Sequence, residues 1–511
     1  MRRRRKCFRG VVSEAVGAAE LKPLRHTFQT IFSRLHARVA QARRLRVKLV
    51  MNVVLIIAGA IAHVPLEQSD GGHETHMQRV RRKGWSDGGR APSHLQLDLI
   101  VAVRQNSVGV ATLEKTLMRV SDPDAKAYGQ HLTHRQVDDL VAPSAAAVQA
   151  VHGWLRSHGV ASHNMSLNGD FIGFTSSVRV AESLLGTRYH TFEHTSGTSV
   201  VRSTEYGVPP TIAPFIDFVA PTITFPPVSA KSASHDGAFK VTPAFLRRLY
   251  GLGPTDIGRG AASNNSQAVA SFLKQYYSPA DLSAFWSKYP PPAKTPVVDV
   301  PASQPHTPVG TEAALDSQYL PSLGAGISTQ VWSTEGVQPG APANEPFIKW
   351  LANVAASEAP PRLFSISYGD EENGVSRTYA SRCNIEFQKA GARGISLLVS
   401  SGDSGAGCAS TGFVPTFPAS SPWVTAVGGV TGHSAPGETT AALSGGGFSD
   451  YFRRPAYQDA AVAAYLTQPG LPRSHMYNAS GAGFPDISAQ ALQFDTCTDN
   501  FFYPVDGTYV L

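Results

Sequence analysis

ISLLVSSGDSGAGCASTGFVPTFPASSPWVTAVGG, residues 395–429, contains two apolar runs separated by a segment rich in glycine and proline. The first run, 395–399, ends in Ser400-Ser401-Gly402-Asp403-Ser404-Gly405, which is typical of a buried strand followed by a tight turn. The second run, 423–427, predicts the next strand. Ligands bind at the carboxyl edge of open α/β sheets, so Asp403 could present a carboxyl group to a substrate there. Gly-Asp-Ser-Gly is also ordinary turn chemistry, and the motif alone leaves both interpretations open.

Segments with helical and strand-like patterns alternate before this stretch. Strands are predicted at 268–272, 297–300, 327–333 and 363–368, and helices at 311–320, 346–355 and 376–392. Repeated β and α units of this kind predict an α/β domain, whose mostly parallel sheet is covered by helices on both faces.

Two carboxyl groups lie in the predicted helix that begins near Thr311. Glu312 and Asp316 are four residues apart and therefore share one face of the helix. Adjacent carboxyl groups raise one another's proton affinity, which is how a protein obtains a carboxyl base and a partner that orients it. An acidic pair with this spacing is more often a solvated face, but the apolar neighbours here weaken that interpretation.

Composition and charge limit the classes of function. The 511 residues, 42% of them hydrophobic, are enough for two or three domains. The net charge of +7 comes from residues 1–50, which alone carry +12, so the remainder carries −5 and does not suggest a nucleic-acid partner. The four cysteines lack the CxxC spacing of zinc and redox sites.

The N-terminal region predicts entry into the secretory pathway. A basic segment precedes an apolar stretch at 49–64 that contains Ala60-Ile61-Ala62, a pattern cut by signal peptidase, so residues 1–62 are interpreted as a signal region. Met1 and Met51 both remain candidates for the start. An uncleaved signal anchor is the alternative, and membrane attachment would require it. Three sequons, at Asn164, Asn264 and Asn478, are consistent with a glycosylated protein.

Composition changes divide the remaining chain. Residues 63–93 are interpreted as a linker, 94–226 as a small α+β domain, 227–238 as a second linker suited to proteolytic processing, and 239–511 as the large α/β domain.

Five motifs, in this order, resemble those of a known peptidase family. They are Thr311-Glu312-x-x-x-Asp316, Ser365-x-Ser367-Tyr368-Gly369-Asp370, Ser401-Gly402-Asp403-Ser404-Gly405-Ala406-Gly407, Pro415-Thr416-Phe417-Pro418-Ala419-Ser420-Ser421-Pro422 and Ser444-Gly445-Gly446-Gly447-Phe448-Ser449. The order and sequence of these motifs are similar to those of the sedolisins, the serine-carboxyl peptidases. Residues 94–226 resemble the prosegment of that family.

The resemblance implies a subtilisin-like catalytic domain with a mostly parallel sheet, preceded by an α+β, ferredoxin-like prodomain that acts as an intramolecular inhibitor. It implies a zymogen of the lysosome or the extracellular space that works in acid and releases tripeptides from the N-termini of polypeptides, and that could also act as an endopeptidase. Glu312 would be the general base, Asp316 would orient it, and Asp403 would stabilise the oxyanion. A carboxyl base with a pKa of about 4.3 suits catalysis in acid better than histidine does.

The nucleophile position departs from the family pattern. The resemblance places a Gly-Thr-Ser motif where this chain has Gly507-Thr508-Tyr509, so Tyr509 stands in place of the serine. A tyrosine ring moves the hydroxyl several ångströms outward, and the chain as written is therefore expected to be inactive. The family's calcium site would lie in C-terminal residues that this chain lacks, so no residue here is assigned to a metal. The alternatives are a pseudopeptidase that binds peptides or prosegments, and a membrane-anchored structural protein.

Overall fold

The computed structural model describes residues 64–65, 85–166, 168–194, 199–223, 239–258, 265–334, 346–408, 412–432 and 437–508. All of them belong to one compact unit, His63–Leu511. The predicted signal region, the whole processing linker, Asn264 and Tyr509 lie outside the described residues. Within these ranges no helix combines the length and the apolar character needed to cross a bilayer.

The N-terminal part, defined here as the described residues up to 223, is an α+β domain. Its strands are β1 Val64–Pro65, β2 Trp85–Arg90, β3 Gln96–Val103, β4 Ser162–Asn164, β5 Phe171–Ser177, β6 His190–His194, β7 Ser199–Arg202, β8 Gly207–Val208 and β9 Ile216–Ala220. Its helices are α1 Ser107–Ser121, α2 His134–Val141, α3 Ala145–Ser157 and α4 Val178–Leu185. Side-chain caps begin all four helices, at Asn106, Thr133, Ser144 and Ser177.

The main sheet of the N-terminal part confirms the ferredoxin-like prediction. Its strands lie in the order β9-β3-β5-β4, and every neighbouring pair is antiparallel. This is the arrangement of a βαββαβ unit, in which the first strand lies between the third and the last. Helices α3 and α4 pack against the sheet, over a core that includes Val101, Ile172 and Leu184.

The predicted linker at 63–93 is wrong at its C-terminal end. Strand β2 lies inside it and pairs antiparallel with β6, with Trp85 opposite His194. The strand is mostly exposed, and its sequence Trp-Ser-Asp-Gly-Gly-Arg carries no alternation of apolar residues. Backbone pairing with β6, which a hydrophobic pattern does not reveal, therefore orders this segment.

The C-terminal part, residues 239–508, is the large α/β domain. Its helices are α5 Pro243–Leu249, α6 Pro279–Lys288, α7 Thr311–Leu323, α8 Phe347–Ala356, α9 Arg377–Ala392 and α10 Asp459–Leu466. Its strands are β10 Ser266–Ser271, β11 Val297–Val300, β12 Ser328–Ser333, β13 Leu363–Ile366, β14 Asp370–Glu371, β15 Ser396–Ser400, β16 Thr416–Phe417, β17 Thr425–Thr431, β18 Thr439–Thr440, β19 Gly447–Arg453, β20 Gly481–Phe484, β21 Ile487–Gln490, β22 Phe494–Thr498 and β23 Phe501–Val505.

The large sheet confirms the predicted α/β class. Its strands lie in the order β11-β12-β10-β13-β15-β17, with β21 also beside β17, and all of these pairs are parallel. Only the short β18 pairs antiparallel, among the described strands of this sheet. The strand predicted from 395–399 is β15, and it lies between β13 and β17. The carboxyl ends of β10, β13 and β15 therefore meet at one edge of the sheet.

The two parts share a buried core. One cluster joins Ile100, Phe171 and Phe218 of the N-terminal part to Phe364 and Phe387 of the C-terminal part. Aromatic side chains of this size remove large apolar areas from water, so the contact is a continuous hydrophobic interface.

A buried group of charged side chains lies at the same boundary and is called here the interface network. Its members are Gln105, Asp170, Arg382, Glu386 and Lys389. Asp170 Oδ2 lies 2.9 Å from Arg382 Nη2 and 3.2 Å from Lys389 Nζ, and Lys389 Nζ lies 2.7 Å from Glu386 Oε2. Burial by itself would raise the pKa of Asp170, but Lys389 and Arg382 hold it well below its usual range.

Candidate active site

Helix α7 carries the predicted acid pair into the interior. Glu312 is 4% exposed and Asp316 is 1% exposed, so the interpretation of the pair as a solvated helix face is wrong. Every residue from Glu312 to Ser322 is buried, because the helix lies inside the domain and has no solvent face there. Glu312 lies in the first turn, where the helix dipole stabilises a carboxylate.

The loop after β10 holds the start of α7. The chain turns through two left-handed residues, Leu273 (φ 56°) and Lys274 (φ 58°), directly before Gln275. The Gln275 side-chain oxygen accepts the backbone N–H of Glu312 at 3.2 Å. A Cβ at Gly310 would lie 2.4 Å from that oxygen, so the close approach requires glycine. Strained non-glycine backbone of this kind often marks a functional site.

The segment after β13 supplies the next contacts. Ser367 Oγ donates to Asp316 Oδ1 at 3.0 Å, and this orients the second carboxyl group of the pair. Tyr368, which follows, is 5% exposed. Burial, with a contribution from the charge of Glu312, raises the pKa of the Tyr368 phenol well above its usual value, so this hydroxyl keeps its proton at any working pH.

Asp403 lies in the turn that follows β15, as predicted. Gly402 (φ 98°) and Gly405 (φ 63°) adopt left-handed backbone on either side of it. Asp403 Oδ1 accepts two hydrogen bonds from Thr508, one from the backbone N–H at 2.6 Å and one from Oγ1 at 2.9 Å. The described residues offer no partner to Asp403 Oδ2. The Asp403 side chain is exposed, in contrast to the acid pair.

Thr508 fixes the chain immediately before the nucleophile position. It is 3% exposed, and its Oγ1 also accepts the N–H of Gly402 at 3.0 Å. Residue 509 lies outside the described residues, but it follows directly on a residue bonded to Asp403. Ser367, which bonds to Asp316, follows β13, and Asp403 follows β15, the neighbouring parallel strand.

The two described sequons differ in their surroundings. Asn164 is exposed on β4, and its Oδ1 lies 2.9 Å from His152 Nε2. Asn478 is half-buried, and its Nδ2 donates to the carbonyl of Ser449 at 2.8 Å. Glycosylation at both positions, and at Asn264, stays a prediction.

Several residues of this site were not assigned from the sequence. Gln275, Ser367, Tyr368 and Thr508 contact or adjoin the predicted acids only through the tertiary fold. Ser367 and Tyr368 belong to a motif that the sequence displays, whereas Gln275 carries no recognisable signal. Among the described residues, no three side chains of His, Cys, Asp and Glu converge as metal ligands.

Comparison with known proteins identifies the family. Residues 83–225 match the Pro-kumamolisin activation domain. Tripeptidyl-peptidase 1 of Homo sapiens is 40% identical over 457 residues, which cover 85% of this chain and 78% of the human protein. The chain belongs to the sedolisin family of serine-carboxyl peptidases. Tripeptidyl-peptidase 1 of Mus musculus is 38% identical over 469 residues, covering 87% of this chain and 80% of the mouse protein.

A solved sedolisin structure is also similar. Pseudomonas sedolisin, a serine-carboxyl proteinase, aligns with 53% of this chain and 77% of its own length, at 22% identity and a TM-score of 0.40. The match to the activation domain, residues 83–225, covers most of the N-terminal part.

Proposed function

We propose that this protein is the zymogen of an acid-acting sedolisin that releases tripeptides from the N-termini of polypeptides through an acyl-enzyme. The observation that supports this most is the buried pair of Glu312 and Asp316, oriented through Ser367 at the sheet edge that also carries Asp403. The name of the relatives, tripeptidyl-peptidase 1, supports the tripeptide product.

Each carboxyl group has a role that its surroundings favour. Glu312 takes the proton of the nucleophile, and Asp316 orients Glu312 from the same helix face. Asp403 accepts two hydrogen bonds from Thr508 at Oδ1, which leaves Oδ2, when it is protonated, to donate a hydrogen bond to the oxyanion. A carboxyl group can donate in this way only in its protonated form, and the reaction therefore belongs to acid.

The N-terminal part acts as an intramolecular inhibitor until it is cleaved within 227–238. Its shared core with the C-terminal part and the interface network support this. We propose a location in the secretory pathway, in the lysosome or outside the cell, on the basis of the predicted signal region.

A second function is favoured by Tyr509. If residue 509 is tyrosine in the protein that cells make, the chain lacks a serine beside Thr508 and is a pseudopeptidase that binds peptides or prosegments. The transcript across codon 509 distinguishes the two functions: a serine codon supports the peptidase, and a tyrosine codon supports the binding protein.

The activity is tested on the full chain and on Tyr509→Ser, each after cleavage within 227–238, at pH 3 to 7, with a peptide amide that has a free N-terminus. We expect no tripeptide release from the chain as written and release in acid from Tyr509→Ser. Adding Glu312→Gln to that variant should abolish release, whereas Glu358→Gln, an exposed control, should not. Release by the unaltered chain contradicts the expected inactivity, and release by Tyr509→Ser that survives Glu312→Gln contradicts the role of the base.

A further inference from the structure

Glu372 is a buried carboxyl group that the proposed mechanism does not use. It is 0% exposed and receives four hydrogen bonds. The hydroxyls of Ser420 and Ser449 donate to Oε1, the first at 2.7 Å. The backbone N–H groups of Asp450 and Tyr451 donate to Oε2 at 2.7 and 3.2 Å. These five residues are called here the Glu372 tether.

The tether joins three segments that are distant in sequence. Glu372 follows β14, Ser420 follows β16, and Ser449 to Tyr451 lie in β19. The backbone N–H of Glu372 also donates to the carbonyl of Pro415 at 2.7 Å. One carboxyl group therefore fixes residues 444–451, the segment that enters β19, relative to two loops.

The same segment, together with Leu443, contacts the turn that carries Asp403. Gly445 N donates to the Gly402 carbonyl at 2.7 Å, and Gly405 N donates to the Leu443 carbonyl at 2.8 Å. A Cβ at Gly445 would lie 1.9 Å from the Ser401 carbonyl oxygen, so the two backbones are in direct contact. Movement of the 444–451 segment must therefore move the backbone on both sides of Asp403.

The surroundings of Glu372 disfavour its charge. Among the described residues, no lysine, arginine or histidine lies within ion-pair distance of it. The charged groups on β14 and β19 are Asp370, Glu371, Asp450 and Arg453. Arg377 lies at the start of α9, and its guanidinium donates to the carbonyls of Asp450 and Tyr451 instead. Burial raises the pKa of Glu372 to about 7, although the bonds from Ser449, Ser420 and Asp450 lower it.

We propose that Glu372 is a positioning residue for the Asp403 turn, and that its protonation tightens this turn as the surroundings acidify. The neutral carboxyl group keeps both backbone N–H groups on Oε2. Its own O–H donates to a serine hydroxyl, which rotates to accept it. The neutral form thus retains the contacts and loses the cost of a buried charge.

The direction of the pH effect follows from the pKa of Glu372 in its buried state and in its exposed state. Local opening of the 444–451 segment exposes Glu372 to water. The pKa of Glu372 is about 7 when it is buried and 4.5 at its ordinary value, so between these pH values the buried carboxyl group holds a proton that the exposed one releases. The added stability is complete below pH 4.5. It is lost as the pH rises to 7, and the constant for opening of this segment should then increase by about two orders of magnitude.

Hydrogen exchange on the full chain between pH 4.5 and 8, corrected for intrinsic exchange rates, tests this. Peptides that cover 399–407 and 443–453 should lose protection as the pH rises. Glu371→Gln is the matched control, because Glu371 is the exposed neighbour, and it should keep this slope. Glu372→Gln keeps the shape without the charge and should make protection independent of pH. A flat profile in the unaltered chain, or an unchanged slope in Glu372→Gln, overturns the proposal.

A second variant keeps the proposal testable if Glu372→Gln fails to fold. Ser420→Ala removes one donor to the ionised carboxylate and should move the midpoint of the protection profile to higher pH. An unmoved midpoint overturns the proposal. Hydrogen exchange needs no peptidase activity, so this experiment tests the Glu372 tether separately from the proposed function. Only the role of Asp403 is taken from the proposed function.

Discussion

Two buried carboxyl groups in this protein respond to acid in different pH ranges. Asp170 and Glu372 are both fully buried, but Asp170 faces Lys389 and Arg382, whereas Glu372 faces only hydroxyl and backbone donors. The pKa of Asp170 is therefore held below its usual range, and the pKa of Glu372 is raised to about 7. Burial does not set the charge of a carboxyl group by itself; the charge of its partners decides.

The comparison has a consequence for a zymogen in acid. Between pH 7 and 4.5 the Glu372 tether gains its proton, whereas Asp170 stays ionised and the interface network stays intact. Mild acid should therefore tighten the peptidase site without opening this contact between the two parts. Release of the N-terminal part then depends on cleavage or on other groups.

The largest expected effect comes from removing the charge of Asp170. Asp170→Asn leaves Arg382 and Lys389 buried beside a neutral group, and breaking a buried ion pair from one side costs about 3–5 kcal/mol. Urea unfolding at pH 7 measures the loss. The exposed control Asp124→Asn should change the free energy of unfolding by less than about 0.5 kcal/mol. A similar free energy of unfolding for Asp170→Asn and Asp124→Asn would show that the charge of Asp170 does not stabilise the fold, and would contradict the contrast with Glu372.

Ser367→Ala extends the comparison to a third buried carboxyl group. The variant removes the 3.0 Å bond to Asp316 Oδ1, and the loss of a donor to a buried acceptor costs about 1–3 kcal/mol. Thermal unfolding measures this, with the exposed Ser287→Ala as control. If Ser367→Ala and Ser287→Ala have the same melting temperature, Ser367 does not orient Asp316.

Acidification should weaken the interface network by a smaller amount of free energy per pH unit than the substitutions above. The folded pKa of Asp170 is depressed, so its stabilisation is present above the ordinary value of 3.8 and is lost only as the pH falls below it. The loss should be about 1.4 kcal/mol per pH unit. Hydrogen exchange in peptides covering 380–392 should be unchanged from pH 7 to 5 and rise below about pH 4. Loss of protection already at pH 6 would show that another group governs this contact.

Arg377→Ala should have the smallest effect. Its guanidinium lies 4.8 Å from the centre of the Tyr451 ring and donates to two carbonyls of β19, but the side chain is exposed. Exposed contacts of this kind contribute about 0.5–1 kcal/mol. The protection of peptide 443–453 should fall slightly at every pH, with the slope due to Glu372 preserved. Arg473→Ala, another exposed arginine, is the control.

Local patterns were sufficient for much of the fold. The apolar run at 395–399 and the alternating segments around it predicted β15, α7, α9 and the parallel sheet, because strand and helix periodicity are written in consecutive residues. Strand β2 was missed because backbone pairing at a polar edge leaves no such pattern.

The candidate site divides in the same way. The spacing of Glu312 and Asp316 already placed both on one helix face, and the glycines around Asp403 already indicated a turn. The sequence could not show that the pair is buried, that Ser367 bonds to Asp316, or that Thr508 bonds to Asp403. These contacts join residues 51 and 105 positions apart, and no local pattern encodes such a distance.

By itself, the sequence determined the order of helices and strands, the spacing of the acid pair and, through its motifs, the family. Only the tertiary structure decided the charge states. Asp170 and Glu372 are both acidic residues in the sequence, and what distinguishes them is which side chains folding brings within about 3 Å of each carboxyl group. The electrostatic energy of a buried group depends on those neighbours and on the loss of water, and both exist only in the folded chain.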